Sequence, residues 1–172
     1  MEKREKRVDG FRFIPPGLRA WIRTSIPEED FKGYIPWTPT TKPLSQMTIA
    51  LVTSAGISLK SDPPFDTERE KKEPFWGDRS YRIIPRGTTE KDIHVNHLHI
   101  NTTYIEQDIN VMLPLARMAE FELEGIIGHL APKAYSFYGF QYQSTDFLKE
   151  AIEPISIQMK LEKADAVLLT PA

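Results

Sequence analysis

The run Met47-Thr-Ile-Ala-Leu-Val-Thr-Ser54 decides the fold. It is short, continuous and rich in β-branched residues, and Ala55-Gly56 closes it. A strand apolar at consecutive positions is buried on both faces, the habit of a parallel sheet covered by helices on two sides. Upstream, residues 1–45 hold Pro15, Pro16, Pro27, Pro36, Pro39 and Pro43. Proline fixes φ and removes a donor, so this stretch reads as an irregular, Pro-rich N-terminal arm. A helical turn or two is expected at Gly17–Arg23. Trp21, Phe31, Tyr34 and Trp37 equip the arm to cover the main core or to dock a partner. The regular domain is expected over 46–172.

Downstream, residues 60–77 are polar and contain Pro63-Pro64 and the run Glu68-Arg-Glu-Lys-Lys-Glu73. They read as a long surface loop with a solvated charged face. Tyr81–Pro85 is a second strand. Lys91–Ile100 alternates, with Ile93, Val95, Leu98 and Ile100 apolar, and reads as a third strand with a phase shift near His97. Leu115, Met118, Ala119, Leu123 and Ile126 share one helical face, entered through Pro114 and closed by Gly125 and Gly128. Tyr135–Gly139 is a further strand, Ser144–Ile152 a capped helix, and 154–163 a second helical segment begun by Pro154. Ala166-Val-Leu-Leu-Thr170 is the last strand, with Asp165 at its mouth. Strands alternating with helices imply a layered α/β fold, Rossmann-like, with a mostly parallel sheet flanked by helices.

Composition narrows the function. There are 22 basic and 24 acidic residues, a net charge of −2, so no general attraction to nucleic acid or membrane surfaces is expected. The charged Met1–Arg7 terminus is followed by no apolar segment, and no apolar run approaches roughly 18 residues, which points to the cytoplasm. The chain has no cysteine, which excludes thiolate chemistry and Cys-based metal sites within these residues.

Candidate site residues gather beyond the strand ends, where open α/β sheets carry their ligands. Ser54 and Gly56 bracket a strand-end turn whose N–H groups suit a carboxylate, or form a plain turn. Asp78 orients a substrate or forms a structural ion pair with Arg82. His94, His97 and His99 are the tightest cluster of ligand types. On a strand His97 and His99 point the same way, and His94 points to the other face. His97 is the candidate proton donor and His99 a candidate substrate contact. Asp108 and Asn110 are helix caps first and candidate substrate contacts second. Tyr138 lines the same rim. No bound metal is expected, although a metal-dependent hydrolase built on His97, His99 and Asp108 is one alternative function. A non-catalytic interaction domain is another.

Several segments together resemble one known family. They are Trp37-Thr-Pro39, Met47–Gly56, Lys60-Ser-Asp62 with Phe65, and Gly77-Asp-Arg-Ser-Tyr-Arg82 with Ile84-Pro85. Asp108-Ile-Asn110 with Pro114, Arg117-Met118, Glu124-Gly125, Ala131-Pro132 and Ala164–Ala172 follow in order. Over residues 36–172 the chain is similar to the selenoprotein B family of glycine, betaine, sarcosine and D-proline reductases. The resemblance implies a subunit of a selenocysteine-dependent reductase that cleaves the C–N bond of an amino acid or N-methylated glycine. It implies a companion subunit that carries a pyruvoyl group, a dithiol reductant protein, and no cofactor on this chain. In that family a selenocysteine or cysteine follows the last apolar strand. The chain is therefore expected to be truncated directly before the nucleophile, at a UGA codon read as stop, with the C-terminal part of the fold missing and no activity on its own.

Overall fold

A computed structural model describes residues 10–25, 38–73, 75–142 and 144–172. The chain divides into two compact units, Met1–Thr38 and Pro39–Ala172. The first holds a short 3-10 turn, Gly10–Phe13, and helix α1, Pro16–Ser25. Its helix starts on Pro16, where a missing N–H costs nothing. Phe31, Tyr34 and Trp37 lie outside the described residues, as do Met1–Asp9.

The second unit is built on a four-stranded sheet. In chain order its strands are β1 (Thr48–Thr53), β3 (Tyr81–Pro85), β5 (His129–Phe137) and β6 (Ala166–Thr170). Their spatial order is β3-β5-β1-β6. β5, β1 and β6 are parallel, and β3 closes one edge antiparallel to β5. A separate two-stranded ribbon pairs β2 (Ile57–Leu59) with β4 (Ile93–Val95). The helices are α2 (Thr67–Lys72), α3 (Thr103–Gln107), α4 (Leu115–Leu123), α5 (Ser144–Phe147) and α6 (Glu153–Leu161), the last two joined by a π-helical turn at Leu148–Ile152. This is an α/β fold with a mixed, mostly parallel sheet flanked by helices. None of the helices among the described residues is long and apolar enough to cross a membrane.

β1 is central, and its two-residue period splits the core. Ile49 and Leu51 face a cluster that includes Leu113, Leu115, Met118 and Ile84. Val52 faces the opposite cluster, with Tyr135, Phe147, Ala151 and Ile155. Each such buried side chain contributes about 1.5–3 kcal/mol of transfer free energy, so both faces of β1 stabilise the sheet.

Three sequence expectations need correction. β5 begins at His129, not Tyr135, because the register against β1 shifts between Ile49–Leu130 and Leu51–Ala134. Pro132 sits in that shift, where its missing N–H is tolerated. The expected strand over 91–100 is only β4, preceded by a capped 3-10 turn at Glu90–Asp92. Asn96 makes one further in-register bond, from its backbone N to Gly56 O (2.9 Å), and its Nδ2 reaches Ser58 Oγ (2.9 Å); the ribbon ends there, where Gly56 turns to φ +64°. Finally, the polar loop 60–77 contains α2. Asp66 caps it by accepting the Arg69 N–H at 2.9 Å. Acidic residues in its first turn and Arg69, Lys71 and Lys72 in its last match the helix dipole.

β6 lies at the other edge of the sheet. Val167, Leu168 and Leu169 are exposed, Leu169 by 67%. Asp165 anchors the strand's start by accepting from Lys42 Nζ (2.7 Å) and from the Thr48 N–H (3.0 Å).

Candidate functional site

Helix α2 carries the residue that organises the site. Glu70 lies inside the run that sequence reading assigned to a solvated face, yet its side chain is only 4% exposed. Helical spacing turns Glu68, Arg69, Lys71 and Lys72 outward and Glu70 inward. A buried carboxylate must be paired and hydrogen-bonded, and Glu70 is. Its Oε2 accepts a short hydrogen bond from the Tyr138 hydroxyl. Its Oε1 lies 2.6 Å from His99 Nε2. An ionised carboxylate only accepts, so toward it His99 donates from Nε2.

Tyr138 is fully buried just past the end of β5, and its hydroxyl also accepts the Leu98 N–H at 3.4 Å. Burial, followed by the Glu70 contact, pushes its phenol far above the ordinary value. His97 stacks on the Tyr138 ring at 4.9 Å and meets His99 edge-on at 5.8 Å. The His97 Nδ1 accepts the His99 backbone N–H at 3.1 Å, which leaves its own proton on Nε2 when the ring is neutral. Desolvation, then the neighbouring His99, lowers the His97 pKa, and Glu70 opposes them. The two rings therefore do not line one strand face. They belong to the irregular Asn96–Ile100 segment, which Tyr138 and Glu70 hold from beneath. His94 remains on β4, exposed, opposite Ser58.

Gly56 makes this segment possible. It adopts φ +64°, and a Cβ there would stand 2.3 Å from Asn96 O. Only glycine takes that backbone and that approach without strain. The N–H groups of its turn are already engaged: Ser54 N with Thr170 O (3.3 Å), Ala55 N with Thr53 Oγ1 (3.2 Å), and Gly56 N with Phe137 O (3.0 Å). Ser54 Oγ accepts the Ala172 N–H at 2.8 Å. Ser54 also packs on Gly139, where an added Cβ would fall 3.0 Å from Ser54 O. Val52, Ser54, Phe137, Leu169, Thr170 and Pro171 line an apolar hollow of about 180 Å³ at the carboxyl ends of β1, β5 and β6.

Asp78 acts at the base of α2, accepting the Asp66 N–H (2.9 Å) and the Ser80 N–H (2.9 Å). Arg82 reaches Ser80 Oγ (2.8 Å) and Pro63 O (2.9 Å), so Asp78 and Arg82 meet through Ser80. Asp108 and Asn110 lie elsewhere on the rim. Asp108 Oδ1 accepts the Asn110 N–H (2.9 Å), and Asn110 Oδ1 accepts Ala116 N (2.9 Å) and Arg117 N (3.3 Å) at the start of α4. Thr170 Oγ1 ties β6 to this segment at Met112 O (2.6 Å). The structure thus brings His97, His99 and Tyr138 together and adds Glu70. Asp78 is bound at the start of the helix that carries Glu70, while Asn110, itself bound to Asp108, is bound to the start of α4. Among the described residues, no group of three or more His, Cys, Asp or Glu side chains is arranged to hold a metal ion.

An α/β chain with a polar cluster beyond its parallel strand ends has the layout of a small-molecule enzyme domain. Sequence comparison identifies the kind. Residues 22–172 match the family described as glycine/sarcosine/betaine reductase selenoprotein B, and the chain belongs to that family. It is 39% identical over 134 residues to the D-proline reductase subunit gamma of Acetoanaerobium sticklandii, covering 78% of this chain and 52% of that protein. It is 32% identical to the glycine reductase complex component B subunit gamma of Carboxydothermus hydrogenoformans, over 86% of this chain and 33% of that protein. A betaine reductase complex component B subunit beta of Peptoclostridium acidaminophilum is 30% identical, over 75% of this chain and 29% of that protein. The chain spans about half the length of the first of these relatives and about a third of the others. No solved structure matches it.

Proposed function

We propose that the chain works as part of a gamma-type subunit in an amino-acid reductase complex that cleaves an α-carbon–nitrogen bond reductively. The observation that carries this reading is the 39% identity to the D-proline reductase subunit across 78% of the chain. D-proline heads the candidate substrates, ahead of glycine, sarcosine and betaine. The companion subunit presents a pyruvoyl carbonyl to the amine, and a dithiol protein supplies the electrons. The 172 residues contain no cysteine, so the selenolate or thiolate that attacks the α-carbon comes from outside them. These residues form the sheet and the polar rim against which the substrate is held, with the reaction confined to a cytoplasmic complex.

The test is to co-purify the subunit with its pyruvoyl companion and assay all four candidates with a dithiol. Reductive opening of D-proline at the Cα–N bond gives 5-aminopentanoate, which is the expected product. A purified complex that forms no C–N cleavage product from any of the four would refute the reading.

A further inference from the structure

The polar cluster contains a pairing that family membership does not assign. Glu70 has both oxygens committed, one to Tyr138 and one to His99 Nε2. His97 has Nδ1 committed to the backbone of His99. Among the described residues, this leaves two ring atoms of the cluster without a hydrogen bond: His99 Nδ1 and His97 Nε2. The two are not equivalent. His99 is backed by a carboxylate that fixes its ring plane and balances an imidazolium charge, and its side chain is 54% exposed, open to proton exchange with solvent. His97 has no carboxylate within hydrogen-bond distance and is half-buried against Tyr138. A histidine whose far nitrogen is gripped by a buried carboxylate is the arrangement that orients an imidazole for proton transfer at its near nitrogen. The carboxylate is itself held by a tyrosine, so the ring has little freedom to tilt.

We propose that His99, positioned by Glu70 and Tyr138, gives the proton that the departing nitrogen of the amino-acid substrate takes up as its bond to the α-carbon breaks. This rests on the reductase reading above. The electrons balance as follows. The C–N bonding pair leaves on nitrogen. A nitrogen that is uncharged before the bond breaks forms a new N–H bond with the proton from His99 Nδ1, and the imidazolium becomes neutral imidazole; the quaternary nitrogen of betaine leaves as a neutral amine and takes no proton, so the assignment concerns the other three substrates. The α-carbon accepts the electron pair of the selenolate or thiolate that the complex supplies, and the dithiol later reduces that adduct. His99 is then the catalytic residue, and Glu70 and Tyr138 are positioning residues. Glu70 needs burial for this role, because an exposed carboxylate would be satisfied by water and would leave the ring free.

The experiment uses the reconstituted complex and the substrate it turns over. His99→Ala is expected to lower kcat by about 10²–10⁴-fold, the usual worth of a positioned general acid, with KM changed only a few-fold. Free imidazole should restore part of that loss. Glu70→Gln should lower kcat in the same direction with KM held, and His94→Gln, on the exposed face of β4, should leave turnover unchanged. In the protein alone, ¹⁵N NMR should show neutral His99 protonated on Nε2, a preference that Glu70→Gln weakens. An active parent complex whose His99→Ala variant keeps kcat within a few-fold overturns the assignment. So does a folded His99→Ala variant that imidazole does not restore, or restoration at His97→Ala instead. If the His99→Ala variant fails to fold, His99 found protonated on Nδ1 overturns it by itself. A parent complex that cleaves none of the four substrates overturns the reductase reading, and this assignment with it.

Discussion

Replacing Gly56 by alanine tests the geometry on which the site stands. Two costs add at this position. The backbone is left-handed, with φ +64°, which costs an L-residue about 1–2 kcal/mol. The new Cβ would also meet Asn96 O at 2.3 Å and the Tyr138 ring at 3.3 Å. Asn96 cannot withdraw freely, because its N–H is bound to Gly56 O and its side chain to Ser58 Oγ. Forcing extra volume into such a packed contact costs about 1–3 kcal/mol. The sum is about 2–5 kcal/mol, a large part of the 5–15 kcal/mol that holds a typical domain together. Urea unfolding should show a lower midpoint with an unchanged slope. The His97 resonances should shift as well, since Asn96 precedes that ring. Gly87 is the control: nothing lies within 4 Å of its added Cβ, and Gly87→Ala should be neutral or stabilise by up to about 1 kcal/mol. A Gly56→Ala protein within about 0.5 kcal/mol of the parent, the range of an ordinary surface change, would refute the close approach of the two loops.

Other perturbations follow from the same contacts. Asn110→Ala removes the acceptor for the Ala116 and Arg117 N–H groups, and should lower stability by about 0.5–2 kcal/mol in thermal or urea unfolding. The Asp165 carboxyl is held below the usual carboxylate range by Lys42, then by the Thr48 N–H. Its stabilising share is therefore present above about pH 4 and is lost as pH falls through its lower folded value. Asp165→Asn should flatten the acid limb of a stability–pH curve below about pH 4; an unaltered limb would contradict the anchoring role. Burial, then His99, lowers the His97 pKa. Below about pH 6.5 the unfolded chain binds a proton that the folded chain refuses, so stability falls with pH until the depressed folded value is reached. NMR titration of His97 should give a midpoint below that of the unfolded chain, and a midpoint at or above it would contradict the burial.

What could be read from the sequence is what is local. β1 and β6 announce themselves as apolar runs, and α4 as an apolar stripe behind Pro114, because each pattern sits within about ten residues of chain. The N-terminal half of β5 was hidden by Pro132, which reads as a breaker until the shifted register against β1 gives it a place. The strand expected through His97 and His99 ended early because alternation alone does not see its partner strand running out at Gly56, which turns to φ +64° opposite Asn96. Glu70 was the costliest omission. Its partners His99 and Tyr138 lie 29 and 68 residues away, so nothing near it signals burial. The helix that carries it was nonetheless visible in Asp66, a good cap, and in the passage from acidic to basic residues that follows.

The Glu70 network is hard to explain as a stability device. Burying a carboxylate costs several kcal/mol of desolvation, and an apolar side chain in the same space would often hold the fold as well. What the charged version adds is orientation. Tyr138 donates to one oxygen and His99 to the other, Asp78 fixes the start of the helix, and Gly56 lets the histidine loop descend onto the strand ends. Each of these groups restrains another, and the ring at the end of the chain of contacts is the exposed one. A protein that spends burial on a carboxylate and leaves its histidine partner exposed holds a protonatable ring in a fixed orientation at its surface. For the C–N cleavage proposed above, an oriented proton beside the departing nitrogen serves the step in which an uncharged amine leaves, whereas folding alone does not need it.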